Sequence, residues 1–324
     1  MDVARLVEAS WAHLVREVEP LTGGLNSDTW SVATAAGRFV LKSVPADDRG
    51  FINGLELAAS LDRHGIATGA PVRTVGGQLF EQVGERSVAL LRWVDGEALS
   101  VADPRSAPRM GTTLARVHEA GATETGSLDN WLRVLPFWGD FLDIEPWIRP
   151  VVENALEAVR VDHAKVPLTW AGLHGDPSPS AFLVRGDDTG LIDWGATMHG
   201  PALYDLASAA MYLGWSNSGQ DTEAARSRGE ALVAAYLKAR PSMINEVRRG
   251  LALYLRLRLC VQAGYFAWRC ANEVRTGIRS EDENREGLRR AGTALVSRSR
   301  PVRVRQVILV PRTARTGTSS TYGR

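Results

Sequence analysis

The segment that decides the fold reads LHGDPSPSAFLV over residues 173–184 and is followed by GLIDWG over residues 190–195. Two short apolar runs, Phe182–Val184 and Gly190–Ile192, flank a turn and therefore predict a small hairpin. The hairpin would bring the loop that holds Asp176 next to the end of the strand that holds Asp193. Magnesium prefers one or two carboxylates together with phosphate oxygens, and a carboxylate can also accept the proton of an attacking hydroxyl. The segment therefore predicts a magnesium and phosphoryl-transfer site.

Both aspartates also have a simpler interpretation. Asp-Pro and Asp-Trp-Gly occur in ordinary turns, in which the carboxylate caps a backbone amide. We interpret His174 as a hydrogen-bonded structural histidine rather than as a proton-transfer group. The catalytic interpretation of Asp176 and Asp193 gains weight because both segments follow, in chain order, a strand that ends in a lysine and a hinge.

That lysine, Lys42, ends the apolar run FVLK at residues 39–42. An ammonium that points inward needs an anion, because burying an unpaired charge is costly. The phosphates of a nucleotide would supply the anion, and Glu56 on the following predicted helix is the candidate carboxylate that holds the amine. The alternative places Lys42 on the solvent face and Glu56 on the helix surface, and the local pattern favours neither.

A glycine pair, Gly23 and Gly24, lies in the sequence LTGGLNSD just before the first predicted strand. Glycine lets backbone amides approach phosphate oxygens closely. Such pairs are also common in plain hairpin turns, so this motif alone is a weak indication of a phosphate site.

Strand-like runs separated by glycine turns fill the first 95 residues and predict a twisted antiparallel sheet with one inserted helix. The predicted strands are Trp30–Thr34, Arg38–Ser43, Pro71–Val75, Gln78–Val83 and Ser87–Val94, and the predicted helix is Ile52–His64, closed by Gly65. A short hinge at Trp93–Glu97 follows. Beyond it, Met110, Leu114 and Val117 predict a helix that ends near Gly121. The long apolar stretch from Asn245 to Val274 predicts a buried helix.

This organisation predicts an α+β fold with two lobes. Residues 1–95 would form a nucleotide-binding lobe, residues 96–296 a mainly helical catalytic and substrate-binding lobe, and residues 297–324 a tail. The tail carries seven arginines and no acid, which leaves 31 basic against 37 acidic residues in the rest of the chain. We expect the tail to be a disordered, solvated extension, although a basic segment can also bind nucleic acid or membrane.

The bulk composition, 44% hydrophobic and 23% charged, is typical of a globular protein. The sequence has no apolar run long enough to cross a bilayer, and its first residues resemble an amphipathic helix rather than a signal peptide. Cys260 and Cys270 lie in one predicted helix about 15 Å apart, too far for a disulfide. We therefore expect a cytoplasmic protein with no membrane partner, no nucleic-acid partner and no cysteine metal site.

Together these segments resemble the aminoglycoside phosphotransferase family, relatives of the choline kinases and, more distantly, of protein kinases. The resemblance covers roughly residues 20–210, and the ordered set of motifs is specific to the family. The motifs are GGLNS at 23–27, FVLK at 39–42, Glu56 before RHG at 63–65, ALLRWVDG at 89–96, LARVH at 114–118, HGD at 174–176, LIDWG at 191–195 and GPALYDLA at 200–207.

The resemblance implies a two-lobed, protein-kinase-like fold and a role for each motif. The residues implied to bind ATP or GTP are Gly23, Gly24, Asn26, Ser27, Lys42 with its partner Glu56, and the backbone of Arg92, Trp93 and Val94. Asp176 would be the catalytic aspartate that orients or deprotonates the acceptor hydroxyl. Asp193 would hold Mg²⁺, and Asp205 would be structural.

One departure from the family pattern lies at residue 181. The family usually places an asparagine five residues after the catalytic aspartate as a second metal ligand, and this chain has Ala181 there. Three explanations are open: one metal ion is held mainly by Asp193, a neighbour such as Ser180 or a water replaces the amide, or catalysis is lost and the protein only binds. We favour an active enzyme because Lys42, Asp176 and Asp193 are all present.

The substrate is the least determined property. The acidic body and the run Glu281–Glu283 favour a cationic molecule, so the leading hypothesis is an antibiotic of the aminoglycoside or basic peptide type, whose phosphorylation confers resistance. A small metabolite such as choline, homoserine or a sugar amine is the alternative, as is a pseudokinase. Four tryptophans could line the pocket or pack in the core: Trp131, Trp138, Trp147 and Trp215.

Overall fold

A computed structural model describes residues 1–21, 27–135, 138–164, 167–214, 223–275, 277–278, 280 and 282–297. The first part of the chain forms a five-stranded antiparallel sheet in the order β1-β2-β3-β5-β4. Its strands are β1 (Val15–Pro20), β2 (Asp28–Thr34), β3 (Gly37–Pro45), β4 (Glu81–Val83) and β5 (Arg86–Arg92), and its helices are α1 (Val3–Trp11) and α2 (Arg49–Arg63).

The two faces of this sheet have different partners, because successive side chains of a strand point to opposite sides. On one face, Val7 and Trp11 of α1 belong to the same apolar cluster as Leu41 of β3. On the other face, Phe51 of α2 packs in a cluster with Val44. Lys42 alternates with Leu41 and therefore lies on the α2 side, where the strand continues toward the second part of the chain.

Most of the predicted elements of this sheet are confirmed, with two differences. Pro71–Val75 does not form a strand; an isolated bridge joins Pro71 to Leu91, and the amides of Thr74 and Val75 donate to the carbonyls of Gln78 and Ser10 instead of to a neighbouring strand. Strand β1 was not predicted. Its alternation is weak because Glu17 and Glu19 are exposed on an edge strand.

A second, three-stranded sheet carries the aspartate hairpin. Strand β6 (Glu97–Ala98) pairs with β8 (Phe182–Arg185), which pairs with β9 (Asp188–Leu191). The predicted hairpin is thus confirmed, with Phe182 opposite Leu191. Gly96 permits the approach of β6 to β8, since its φ is +142° and an added Cβ would lie 2.9 Å from the Val184 backbone.

In the described part of the second lobe, the remaining elements are helices and one small sheet. The helices are α3 (Ser106–Ala120), α4 (Leu128–Val134), α5 (Ile148–His163), α6 (Ala202–Gly214), α7 (Glu223–Ala239), α8 (Ile244–Ala271) and α9 (Asp282–Ser297), and the sheet pairs β7 (Trp170–Leu173) with β10 (Met198–Pro201). The helix predicted to end near Gly121 is α3, and the predicted buried helix is α8. In the described residues no helix has both the length and the apolar character that a membrane span requires.

The expected α+β architecture, an antiparallel sheet lobe followed by a helical lobe, is confirmed. The exact division at residues 95 and 96 stays a prediction. Residues 298–324, which include all seven arginines of the basic tail, lie outside the described residues.

Candidate active site

Lys42 and Asp193 meet although 151 residues separate them in the sequence, with Lys42 Nζ 2.5 Å from Asp193 Oδ1. Lys42 is nearly buried, with 13% of its side chain exposed, whereas the Asp193 carboxylate is 63% exposed. The ammonium therefore lies at the bottom of this pair and the carboxylate at its open side. A group that enters from solvent would therefore reach the exposed carboxylate first and the ammonium behind it.

Asp193 is held ionised by its surroundings. Partial burial raises the pKa of this carboxyl, but the Lys42 ammonium, through its charge and its hydrogen bond, lowers it below the ordinary value. The backbone of Asp193 is left-handed, with φ +69° and ψ +59°, which is uncommon for a residue with a Cβ. The surrounding packing must hold this conformation in place.

The packing that holds it comes from Trp194 and from helix α2. The Trp194 indole Nε1 donates to the carbonyls of Thr68 at 3.1 Å and Leu191 at 3.0 Å. Helix α2 approaches so closely that a Cβ added to Gly54 would lie 2.1 Å from the Trp194 carbonyl oxygen. The loop after β9 is therefore fixed against the first lobe by backbone contact.

The same contact fixes the rotation of α2 and decides the position of Glu56. The buried face of α2 includes Gly54, Leu55 and Ala58, and Glu56 lies off this face and is exposed. Among the described residues the carboxylate paired with Lys42 is that of Asp193. The expected role of Glu56 stays a prediction: in this structure Glu56 does not pair with Lys42, because the apolar face of α2 directs it to solvent.

The loop that carries Asp176 is fixed by a buried carboxylate, Asp205 at the start of α6. Asp205 accepts from the backbone amides of His174 at 2.7 Å and Gly175 at 2.8 Å, and His118 Nε2 lies 3.2 Å from it. Gly175 has φ +86°, and an added Cβ would lie 2.0 Å from the Ala196 carbonyl oxygen. The structural role expected for Asp205 agrees with these contacts.

His174 links the two aspartate loops. Its Nε2 lies 2.8 Å from the carbonyl oxygen of Ile192, the residue before Asp193, and the Asp176 amide donates to its Nδ1 at 3.3 Å. A neutral ring with its proton on Nε2 satisfies both bonds. The histidine thus ties the Asp176 loop to the end of β9, in agreement with a structural role.

Two residues that the sequence analysis did not select contact Asp176. The Tyr212 hydroxyl donates to Asp176 Oδ1 at 2.6 Å, and Arg258 Nη2 donates to the same oxygen at 2.5 Å. Burial raises the pKa of the Tyr212 phenol, and the Asp176 charge raises it further, so Tyr212 remains a donor. The sequence signal that could have identified Arg258 is its position inside the apolar stretch LALYLRLRLC, because a buried guanidinium needs an anion as its partner.

Ala181 lies beside the Asp193 strand, at the position where the resemblance expects an asparagine. It is buried, and its carbonyl accepts from the Ile192 amide at 2.9 Å. The nearby Ser180 is exposed, and its hydroxyl lies 2.9 Å from that of Ser178. Among the described residues no cluster of three acidic, histidine or cysteine side chains is arranged for a metal.

The expected nucleotide-binding residues of the first lobe are only partly described. Gly23, Gly24 and Asn26 lie outside the described residues. Ser27 is half-buried, with its hydroxyl 3.3 Å from that of Thr29, and Thr29 is the cross-strand partner of Lys42. The start of β2 is therefore next to the ammonium.

At the hinge, the Arg92 amide already donates to the Ala70 carbonyl at 3.0 Å, and the Arg92 guanidinium pairs with Asp62 at 2.8 Å. Within the described chain, the amides of Trp93 and Val94 donate to no other residue. The Trp93 ring stacks against the Arg38 guanidinium, 3.8 Å from the ring centroid. The free hinge amides are therefore those of Trp93 and Val94.

Of the four tryptophans considered as pocket residues, the three that the structure describes lie in different surroundings. Trp131 is buried against Tyr204 and Tyr254, Trp138 is exposed, and Trp215 lies outside the described residues. Trp147 lines a cavity of about 1020 Å³ between α8 and α9. Arg269 of α8 lines this cavity and lies about three helical turns from Arg258, the residue that contacts Asp176.

Comparison with known proteins places this geometry in a family. A model of the phosphotransferase enzyme family (APH) matches residues 17–243. Homoserine kinase of Methylobacterium nodulans is 27% identical over 235 residues, covering 69% of this chain and 72% of the relative. Homoserine kinase of Methylobacillus glycogenes is 27% identical over 233 residues, covering 69% and 71%.

Solved structures with the same fold are more distant in sequence. An amicoumacin kinase in complex with AMP-PNP, Ca²⁺ and Ami superposes with a TM-score of 0.71 at 13% identity, covering 91% of this chain and 92% of that chain. An ethanolamine kinase of Plasmodium vivax superposes with a TM-score of 0.63 at 15% identity, covering 93% and 84%. The fold is therefore protein-kinase-like. From the match over 17–243, this chain belongs to the phosphotransferase enzyme family and is a small-molecule kinase that uses a hydroxyl group as acceptor.

Proposed function

We propose that this enzyme transfers the γ-phosphoryl group of ATP to the hydroxyl of a small amino alcohol of the homoserine type. The observation that carries the phosphoryl-transfer part is the Lys42–Asp193 pair, 2.5 Å apart and tied through His174 to the Asp176 loop. An ammonium and a carboxylate from distant segments are thus paired, and the loop of a second carboxylate is tied to the same strand end. Phosphoryl transfer needs this combination, since it depends on positioning and charge neutralisation.

In this proposal Lys42 contacts the phosphates, and the hinge amides of Trp93 and Val94 contact the base. Gly23, Gly24, Asn26 and Ser27 are proposed to cover the phosphates from the first lobe. ATP is preferred over GTP as the co-substrate, supported by the ATP analogue in the similar amicoumacin kinase structure.

Asp176 receives the acceptor. Its side chain is 46% exposed, and both hydrogen bonds from Tyr212 and Arg258 go to Oδ1. The carboxylate can therefore accept a hydrogen bond from an acceptor hydroxyl and hold its oxygen toward the phosphate.

The donor set fits one magnesium ion better than two. Asp193 offers an exposed, ionised carboxylate, and phosphate and water oxygens can complete the coordination. Ala181 has no side-chain donor, so Ser180 or water would have to replace an amide at that position. When bound, magnesium would neutralise charge on the transferring phosphoryl group.

The choice of acceptor rests on the relatives. Eight curated relatives named homoserine kinase are 26% to 29% identical to this chain. The similar antibiotic kinase structures are 12% to 15% identical and support the fold alone. The charged side chain that contacts Asp176 is the cation Arg258. A cation at this place does not attract a polycationic antibiotic.

A phosphorylated antibiotic is the second candidate, favoured by the excess of acidic residues outside the tail. Attraction of a cation by net charge acts over the whole surface, so it is less specific than a sequence relationship. Resistance would follow from this second candidate only.

An acceptor screen tests the proposal. Purified protein with Mg²⁺ and either ATP or GTP is incubated with homoserine, choline, ethanolamine, aminoglycosides and basic peptide antibiotics, and products are detected by mass spectrometry. We expect phosphohomoserine with ATP and no product from homoserine O-methyl ether, which lacks the acceptor hydroxyl. Phosphorylation of an antibiotic but not of homoserine would support the second candidate, and absence of any product would favour the pseudokinase hypothesis.

A further inference from the structure

A guanidinium is buried in the helical lobe with its charge directed at Asp176. Arg258 lies in the middle of α8 and is 6% exposed. Its Nε donates to the Ser208 hydroxyl at 2.5 Å, and its Nη2 donates to Asp176 Oδ1 at 2.5 Å. The planar fork of an arginine makes both bonds at once and so fixes the guanidinium relative to α6 and to the Asp176 loop.

Stability alone does not explain this arginine. Burial opposes the charge of Arg258, but Tyr204, Asp176 and Tyr212 outweigh that effect and hold its pKa above the ordinary value. A buried ion pair is often no more stabilising than apolar side chains of similar volume, and the neighbouring positions of α8, such as Leu257 and Leu259, are apolar.

The contacts of Asp176 are asymmetric. Tyr212 and Arg258 both donate to Oδ1, at 2.6 Å and 2.5 Å. Among the described residues no hydrogen bond reaches Oδ2. With one oxygen held by two fixed donors, the carboxylate plane is fixed, and the second oxygen is left without a protein donor in a side chain that is 46% exposed.

We propose that Arg258, together with Tyr212, is a positioning residue that holds Oδ1 of Asp176 so that Oδ2 accepts the acceptor hydroxyl. This inference rests on the role of Asp176 in the proposed function. Arg258 itself touches neither nucleotide nor acceptor and acts through the orientation of Asp176. A displacement of about 1 Å in a positioned catalytic group can cost about 100-fold in rate.

The test compares Arg258→Met with Arg256→Met. Arg256 lies two residues earlier on α8, so this control loses the same charge from the same helix. We expect kcat to fall about 10- to 100-fold in Arg258→Met, with the KM for ATP unchanged and the control near wild type. Tyr212→Phe, which removes only the hydroxyl, should give a smaller loss in kcat.

A double-mutant cycle separates positioning from a general structural role. If Arg258 acts through Asp176, Arg258→Met should cause no further loss in an Asp176→Asn background, because residues that act as a unit are not additive. Equal losses in both backgrounds would overturn the proposal. If Asp176→Asn itself retains activity, the proposed function fails instead, so the two failures are distinguishable.

A measurement independent of activity completes the test. Crystal structures of the wild-type protein and of Arg258→Met should show the same fold, with the Asp176 carboxylate rotated or disordered in the variant. An unchanged Asp176 orientation in Arg258→Met would overturn the proposal, whether or not an acceptor has been found. Arg258→Lys is the second variant if Arg258→Met does not fold: it keeps the charge but has one nitrogen in place of the Nε and Nη2 that bind Ser208 and Asp176, and it should show the same change.

Discussion

Each aspartate of the site is paired with one cation, and the two pairs differ in how they are built. Asp193 is paired with Lys42, which comes from the sheet lobe on a flexible stem. Asp176 is paired with Arg258, which comes from the interior of the helical lobe and is also bonded to Ser208. One pair joins the two lobes, and the other lies within a single lobe.

The difference indicates two functions for similar contacts. A lysine ammonium is a compact charge with freely rotating donors, so it can turn from Asp193 to a phosphate. Arg258 is buried and bonded on two sides, so it stays with Asp176. We infer that the Lys42–Asp193 pair is exchanged during nucleotide binding, whereas the Arg258–Asp176 pair persists through the reaction.

Asp176→Asn should have the largest effect, because it removes the charge from the persistent pair while leaving an acceptor for Tyr212 and Arg258. We expect turnover to fall about 10²–10⁴-fold, with nucleotide affinity close to wild type. Steady-state kinetics and a nucleotide-binding titration measure the two quantities. Asp188→Asn, on the exposed end of the hairpin, is the control, and turnover near wild type in Asp176→Asn would contradict the mechanism.

Lys42→Met removes the cation of the exchangeable pair. Loss of one charged group that stabilises the transferring phosphoryl should lower turnover about 10²–10³-fold and, unlike Asp176→Asn, should also weaken nucleotide binding. Lys238→Met, an exposed lysine on α7, is the matched control. A variant with normal ATP affinity would show that Lys42 does not contact the phosphates.

Ala181→Asn tests the metal site proposed at Asp193, because it places an amide oxygen beside the Asp193 strand as a possible metal ligand. The magnesium concentration at half-maximal activity should fall on the order of tenfold, the size of change that ligand surroundings produce in metal affinity. Overpacking at this buried position should cost about 1–3 kcal/mol of stability, measured by thermal unfolding. Ala181→Leu has similar bulk without a donor, and an equal shift in that variant would contradict the explanation.

Glu56→Gln should have the smallest effect. Glu56 is exposed on α2, and changes at such positions typically alter free energies by less than about 0.5 kcal/mol, so kcat and the KM for ATP should stay within about twofold of wild type. A loss comparable to that of Lys42→Met would show that Glu56 reaches Lys42 when nucleotide binds.

Much of this site could be predicted from the sequence because its motifs are local. The hairpin follows from two apolar runs and a turn, whereas the local pattern along β3 left the inward position of Lys42 open and the structure shows it to be nearly buried. The partners of Lys42 and Asp176 could not be predicted in this way. The Lys42 partner depends on the rotation of α2, which is set by contact of Gly54 with the Trp194 backbone. The Asp176 partner is 82 residues away in the sequence. The cytoplasmic location and the disorder of the tail stay predictions.

The sequence by itself determined the α+β architecture and the hairpin, since hydrophobic periodicity and turn residues act over a few neighbouring positions, and the family resemblance selected Lys42, Asp176 and Asp193 as the proposed charged residues of the reaction. Only the tertiary structure decided which cation neutralises which aspartate. Those pairings are set by the packing of α2 on the Asp193 loop and of α8 on α6, and such contacts join segments that no local pattern connects.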